Sequence, residues 1–131
     1  MIPGLCADCD KNPLSHSFNL LWREEGLNVF YSCPSKAIKY NDTSSILSHF
    51  NAILSYYNCS NNYWKWVFDF NGFELKHMLE INSAIGIAKI INSYSSYLIE
   101  IKIINTNMFT YSMIQIVLPF LDASVKNKII T

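Results

Sequence analysis

Acidic and imidazole side chains that could do chemistry meet in one short window, residues 67–79, which reads VFDFNGFELKHML. A hydrolytic site needs a base, an orienting acid and a nucleophile within hydrogen-bond reach. His77 and Asp69 supply a base and an acid, but no Gly-x-Ser-x-Gly turn supplies the nucleophile. We favour a structural corner, in which Asp69 bonds turn amides near Gly72 and His77 bonds a neighbouring carbonyl. The window therefore predicts no catalytic residue and no enzyme.

A second group of reactive residues opens the chain, where Cys6 and Cys9 form a CxxC pair. A structural zinc site needs two further ligands, and the nearest completions are His16 and Cys33, at an unfamiliar spacing. A redox CxxC is expected where a strand runs into a helix, whereas this one lies in irregular sequence. We predict no metal and no cofactor, and keep zinc at Cys6, Cys9, His16 and Cys33 as the less favoured alternative.

The overall charge excludes several other functions. Ten Lys and Arg residues balance ten Asp and Glu residues, with no basic cluster. Nothing would drive the counterion release on which nucleic-acid binding depends, so we predict no nucleic-acid partner. The four glycines are not clustered, which excludes a phosphate-binding loop.

The composition is apolar for a globular domain. Half of the residues are hydrophobic and 15% are charged, against the usual quarter or so. Such a balance predicts hydrophobic surface in the form of a partner face, a ligand cavity or a membrane contact. The N-terminus lacks the basic and apolar regions of a signal peptide, and no apolar run approaches about 18 residues. We therefore expect a cytoplasmic protein, whose contact with membranes would be peripheral.

The elements that must position these residues alternate along the chain. Residues 1–20 read as an irregular arm, and residues 21–131 as one α/β domain. Phe18, Leu21 and Trp22 have helical spacing, which predicts a helix that ends at Gly26. Further on, periodicity predicts strands at 28–33, 63–70, 97–105 and after 127, and helices at 42–58, 82–94, 108–121 and 122–127. This alternation is typical of a single mostly parallel sheet of four to five strands covered by helices.

Three segments carry a resemblance to a known family. They are WVFDFNGFELKHML, IKIINTNMFTYSMIQIVLPFLDASVKNKI and, more weakly, YSCPSKAIKY. From about Phe30 onward the chain resembles the CRAL-TRIO lipid-binding domain. The resemblance implies a mixed sheet that forms the floor of an apolar pocket, closed by a mobile helix. It also implies that Asp69, Gly72 and His77 are structural corner residues and that the helix after Asn105 lies near the gate.

The resemblance also suggests which residues contact a ligand. It assigns them to the sheet and to the helix after Asn105, namely Phe68, Phe70, Ile101, Ile103, Met108, Phe109, Tyr111 and Met113. Two departures stand against a phosphoinositide ligand. Asn107 replaces a family proline, and Ser96 stands where phosphoinositide-binding members have an acidic residue.

Two function hypotheses remain. The first is a non-enzymatic module that binds or transfers a lipid or other hydrophobic small molecule in its pocket. The second is a protein-interaction or self-association module without lipid, in which a homodimer or a protein partner covers an apolar face.

Overall fold

The architecture is one five-stranded sheet with helices packed against it. The structure, a computed structural model, describes residues 2–131, so that Met1 of the predicted arm lies outside the described residues. The strands are β1 (Asn19–Glu24), β2 (Leu27–Ser32), β3 (Tyr63–Asp69), β4 (Leu98–Ile104) and β5 (Ile129–Ile130). The helices are α1 (Ala7–Lys11), α2 (Thr43–Tyr56), α3 (Leu75–Met78), α4 (Ile81–Ser93), α5 (Met108–Val117) and α6 (Ala123–Lys126).

The strands lie side by side in the order in which they occur in the sequence, β1-β2-β3-β4-β5. The β1 strand runs antiparallel to β2, and the other three pairings are parallel. The predicted α/β class, with a mixed and mostly parallel sheet, is therefore confirmed. Because each right-handed crossover moves to the next strand in the same direction, α2, α4 and α5 all lie on one face of the sheet.

The α2 helix shows how the sequence sets these elements. The Asp42 side chain accepts a hydrogen bond from the Ser45 amide at 3.3 Å and so caps the first turn. A buried stripe at helical spacing then turns Ile46, Phe50 and Ile53 towards the sheet. Asn58 ends the helix with a φ of 52°, in the left-handed region that a helix C-terminus uses.

The helix predicted from Phe18 to Gly26 is wrong. This stretch is β1, which pairs with β2 and places Glu24 opposite Leu27. A bulge between Leu20 and Trp22 breaks the alternation of this strand, so that its apolar residues fall at helical spacing, while pairing with β2 satisfies the backbone. Gly26, with a φ of +75°, makes the tight turn of a hairpin instead of stopping a helix. Within the arm, α1 adds one helical turn where irregular chain was expected.

The two central strands meet at a bulge. Trp64 pairs with Leu98 while Lys65 pairs with Glu100, so Ile99 is an extra residue in the bulge and is 42% exposed. Tyr63, at the start of β3, is exposed as well, whereas Val29 on β2 is buried. Part of the face opposite the helices is thus open among residues 2–131.

Aromatic rings fill the core between the sheet and α2. The Phe18 ring is fully buried and stacks on Phe50, with centroids 4.2 Å apart. It also lies 5.1 Å from Phe30 and meets Trp66 edge-on at 5.4 Å. The Trp66 indole N–H donates to the Ser32 hydroxyl at 2.6 Å, so this buried ring keeps a polar partner. The end of the arm is therefore part of the main core.

Candidate functional site: an apolar cavity and a buried cysteine–histidine cluster

A cavity of about 180 Å³ lies between the sheet and the helices that cover it. Side chains of β3 and β4 form its floor, including Trp66, Phe68, Ile101 and Ile103. Side chains of α2, α4 and α5 form its roof, including Phe50, Ile87, Ile91, Met113 and Val117. Almost all of the lining is hydrocarbon, as the wall of a hydrophobic ligand site must be.

Five of the eight residues predicted to contact a ligand line this cavity: Phe68, Phe70, Ile101, Ile103 and Met113. The other three are placed differently, since Met108 is 72% exposed and Tyr111 is 55% exposed. Phe109 is half-buried and packs against the core outside the lining. Contact of all eight residues with a ligand remains a prediction.

The α4 helix contributes lining residues for which the sequence predicted only a position on one face of a helix. Ala84, Ile87, Ala88 and Ile91 lie at helical spacing and all face the cavity. Ala84 and Ile87 are only partly buried, as are Ile114 and Val117 on α5. This shared exposure indicates that the cavity opens between α4 and α5. Their apolar stripe was visible in the sequence, but nothing there distinguished a cavity wall from a filled core.

The corner after β3 is held by Asp69. Its carboxylate accepts hydrogen bonds from the Tyr31 hydroxyl at 2.5 Å, the Asn71 amide at 2.9 Å and the Asn105 side chain at 3.0 Å. Burial opposes ionisation, but these hydrogen bonds outweigh it and hold the pKa of Asp69 below its usual value. Gly72 has a φ of +75°, and a Cβ there would lie 2.9 Å from a side-chain oxygen. The carboxylate thus joins β2, the turn and the end of β4.

The histidine of the corner has a separate partner. His77 Nδ1 accepts a hydrogen bond from the Glu74 amide at 2.9 Å, where a bond to a carbonyl was expected. Burial, with Lys76 close by, lowers the pKa of His77 and so favours the neutral ring. The ring also meets Tyr40 edge-on at 5.1 Å. Because their hydrogen bonds go to different groups, Asp69 and His77 form no acid–base pair within the described structure.

A second group of side chains lies at the junction of the arm with α2. His16 Nδ1 is 3.4 Å from Cys6 Sγ and 3.5 Å from Cys9 Sγ, and His49 Nδ1 is 3.7 Å from Cys9 Sγ. All four residues are buried, and these four atoms lie within 4.8 Å of one another. We call these residues the Cys–His cluster.

The cluster corrects the grouping suggested by the sequence, in which Cys33 was the fourth member. Cys33 Sγ instead lies 3.4 Å from both the Ser35 hydroxyl and the Asn71 carbonyl. His49 takes the fourth place from the middle of α2. The sequence carried one signal for His49: it falls within the apolar stripe of an amphipathic helix, and a buried imidazole needs a polar partner.

Burial favours the uncharged forms of His16, His49 and Cys9. It lowers the pKa of His49 to about 4 and also lowers that of His16. Burial, reinforced by Cys6, raises the pKa of the Cys9 thiol to about 11. At neutral pH both imidazoles are therefore in the neutral form, which leaves one ring nitrogen of each free to accept.

No helix within residues 2–131 combines the length and the apolar character needed to cross a membrane.

The comparisons with known proteins agree with this architecture. Among solved structures, that of Sfh5 is similar, with a TM-score of 0.71 and 14% sequence identity. The match covers 91% of this chain and 48% of that chain, so this chain spans about half the length of Sfh5. At that identity the likeness shows the fold alone.

Sequence comparison supplies the family. No curated protein matches the sequence significantly. A family model does match, over residues 29–131, and it is that of the CRAL/TRIO domain. That range extends from β2 to the end of the chain and includes the whole cavity floor. The chain belongs to the CRAL/TRIO domain family.

Proposed function

We propose that this protein binds a lipid or another hydrophobic small molecule in the cavity between its sheet and its helices, and that it catalyses no reaction. The observation that carries the proposal is the almost wholly hydrocarbon lining of that cavity. Membership of the CRAL/TRIO family supports it, because that family is in general lipid-binding and non-enzymatic. The driving force would be apolar burial, worth about 25 cal/mol per Å².

The size of the cavity narrows the class of guest. Its 180 Å³ exceeds the roughly 150 Å³ of an apolar cavity that accepts benzene, but falls short of the roughly 300 Å³ at which ordinary ligand pockets begin. A short hydrocarbon chain or a compact apolar molecule suits this volume, and a longer single chain would extend out through the opening. A lipid with two acyl chains would need α4 and α5 to move apart.

Exposed apolar side chains on and beside α3 and α5 support delivery from a membrane surface. Leu75 and Leu79 flank α3, and Met108 and Tyr111 lie on α5, which packs against α3. All four are about half exposed or more. Under the proposal they would contact lipid while the guest passes between the helices. This role resembles that of the gate, which was predicted near the helix after Asn105, more than that of a cavity wall.

Filling the cavity tests this function. We expect Ala84→Phe to reduce uptake of a fluorescent fatty acid at least tenfold, because the new ring would occupy space that the guest needs. Binding would be measured by fluorescence titration, with native mass spectrometry of protein purified from cells to detect a bound guest. Ala123→Phe is the matched control, since Ala123 is exposed on α6 and outside the lining. Unchanged uptake in a folded Ala84→Phe protein would place the guest elsewhere.

The open face of the sheet favours a second candidate, a protein-interaction or self-association module. Trp22, Tyr63 and Ile99 are apolar, and each is more than 40% exposed. The same mass spectra separate the two functions. A monomer with a stoichiometric guest supports lipid binding, whereas a guest-free dimer that takes up no fatty acid supports self-association.

A further inference from the structure

We propose that the Cys–His cluster is a structural zinc site with Cys6, Cys9, His16 and His49 as its four ligands. Cys6, Cys9 and His49 lie outside the lining of the cavity, which only His16 of the four reaches. The site would join the N-terminal arm to α2. Three observations support it: the distances between the ligand atoms, the hydrogen bonds that orient both rings, and the burial of the whole group.

The distances suit one tetrahedral ion. With Zn–S bonds of about 2.3 Å and Zn–N bonds of about 2.0–2.1 Å, a tetrahedron separates sulfur from nitrogen by about 3.6 Å. Three of the four sulfur–nitrogen distances are 3.4, 3.5 and 3.7 Å, and all four ligand atoms lie within 4.8 Å of one another. A helical turn supplies the cysteines, because α1 begins directly after Cys6 and brings Cys9 to the same side three residues later.

Hydrogen bonds orient His49 for metal binding. Its Nε2 lies 2.8 Å from the Phe18 carbonyl oxygen, which can only accept, so Nε2 carries the proton and donates it. The lone pair is then on Nδ1, the atom that faces Cys9. Metal-binding histidines commonly donate their second ring N–H to a backbone carbonyl in this way.

His16 is oriented through a longer chain of bonds. The Ser45 hydroxyl donates to the Asp8 carboxylate, which Lys39 also contacts at 3.2 Å. Since Ser45 has one proton to give, its oxygen accepts from His16 Nε2, 2.8 Å away. The lone pair of His16 therefore lies on Nδ1, which faces both cysteines. Two histidines with different partners thus present the same nitrogen to the same point.

The ligand set points to zinc and to a structural role. Two thiolates and two imidazoles in a tetrahedral arrangement are typical of zinc. Four protein ligands leave no position for water or substrate, which distinguishes a structural site from a catalytic one. The ligands also come from separate segments, and tying distant parts of a chain together is how such sites contribute to folding.

Metal analysis of the full chain tests the proposal. The protein would be made without a polyhistidine tag, purified under reducing conditions without chelator, and measured by inductively coupled plasma mass spectrometry. We expect one zinc per chain, and cobalt added to metal-free protein should give the visible absorption of a tetrahedral thiolate site. Cys9→Ser and His49→Gln should lower zinc content at least tenfold. Cys59→Ala is the control, because Cys59 is equally buried but outside the cluster.

If the ligand variants fail to fold, X-ray absorption spectroscopy of the wild-type protein still tests the proposal. Two sulfur and two nitrogen neighbours around zinc would support the assignment. Protein that carries little metal as purified, and gives no cobalt spectrum, would overturn it and leave a hydrogen-bonded group of thiols and imidazoles. Full zinc retention in folded Cys9→Ser and His49→Gln proteins would overturn it as well.

Discussion

Phe18→Ala is expected to lower the free energy of unfolding by about 3–5 kcal/mol, the usual cost of truncating a fully buried phenylalanine. The ring has no exposed surface and contacts Phe50, Phe30 and Trp66. Urea unfolding followed by tryptophan fluorescence measures the effect, since Trp66 lies against the mutated ring. A loss of this size is a large part of the total stability of a small domain.

Phe120→Ala supplies the matched control for Phe18. Phe120 is 41% exposed, so removing its ring should cost under about 1 kcal/mol. Both variants are to be compared at the same zinc content, because the Phe18 carbonyl accepts a hydrogen bond from His49. Equal losses in the two variants would mean that the end of the arm is not part of the core.

Asp69→Ala is expected to cost about 2–3 kcal/mol near neutral pH, because three donors lose a charged acceptor in a buried position. The effect should also depend on pH. Hydrogen bonding keeps the pKa of Asp69 below its usual value despite burial, so the carboxylate stabilises the folded state above the pKa of the unfolded chain. That contribution is lost as the pH falls through the lower, folded-state pKa.

The pH dependence gives a separate measurement. Between about pH 7 and pH 3, wild-type protein should lose more unfolding free energy than Asp69→Asn protein, which has no carboxylate to protonate. Asp122→Asn, at an exposed position, should follow the wild type. If Asp69→Asn and wild type lose the same amount, the hydrogen bonds at the corner do not favour the ionised carboxylate.

The elements that the sequence predicted well are those with a strong local pattern. The α2 helix has a cap at Asp42 and a long apolar stripe, and β3 alternates Trp64 and Trp66 with outward-facing residues. The first strand was missed because a bulge between Leu20 and Trp22 disrupts its alternation, and pairing with β2 lies outside any local window.

The candidate sites depended more strongly on tertiary structure. The α5 helix was expected to present Met108, Phe109, Tyr111 and Met113 to the ligand, but of these four only Met113 is fully buried. Its rotation depends on packing against α3 and α4, which helical periodicity cannot show. Cys6 and Cys9 were recognisable as a pair by their spacing. His49 lies 40 residues from Cys9 in the sequence, and only the fold brings the two together.

The strand order has a kinetic consequence. In open α/β sheets a ligand usually sits in a crevice where the order of strands reverses. Strands β2 to β5 follow one another without reversal, so this sheet offers no such crevice. Under the proposed function, a guest too large for the present opening would have to wait for α4 and α5 to separate. At high guest concentration the rate of loading is then expected to reach a plateau, set by how often the helices open and not by how often guest and protein collide.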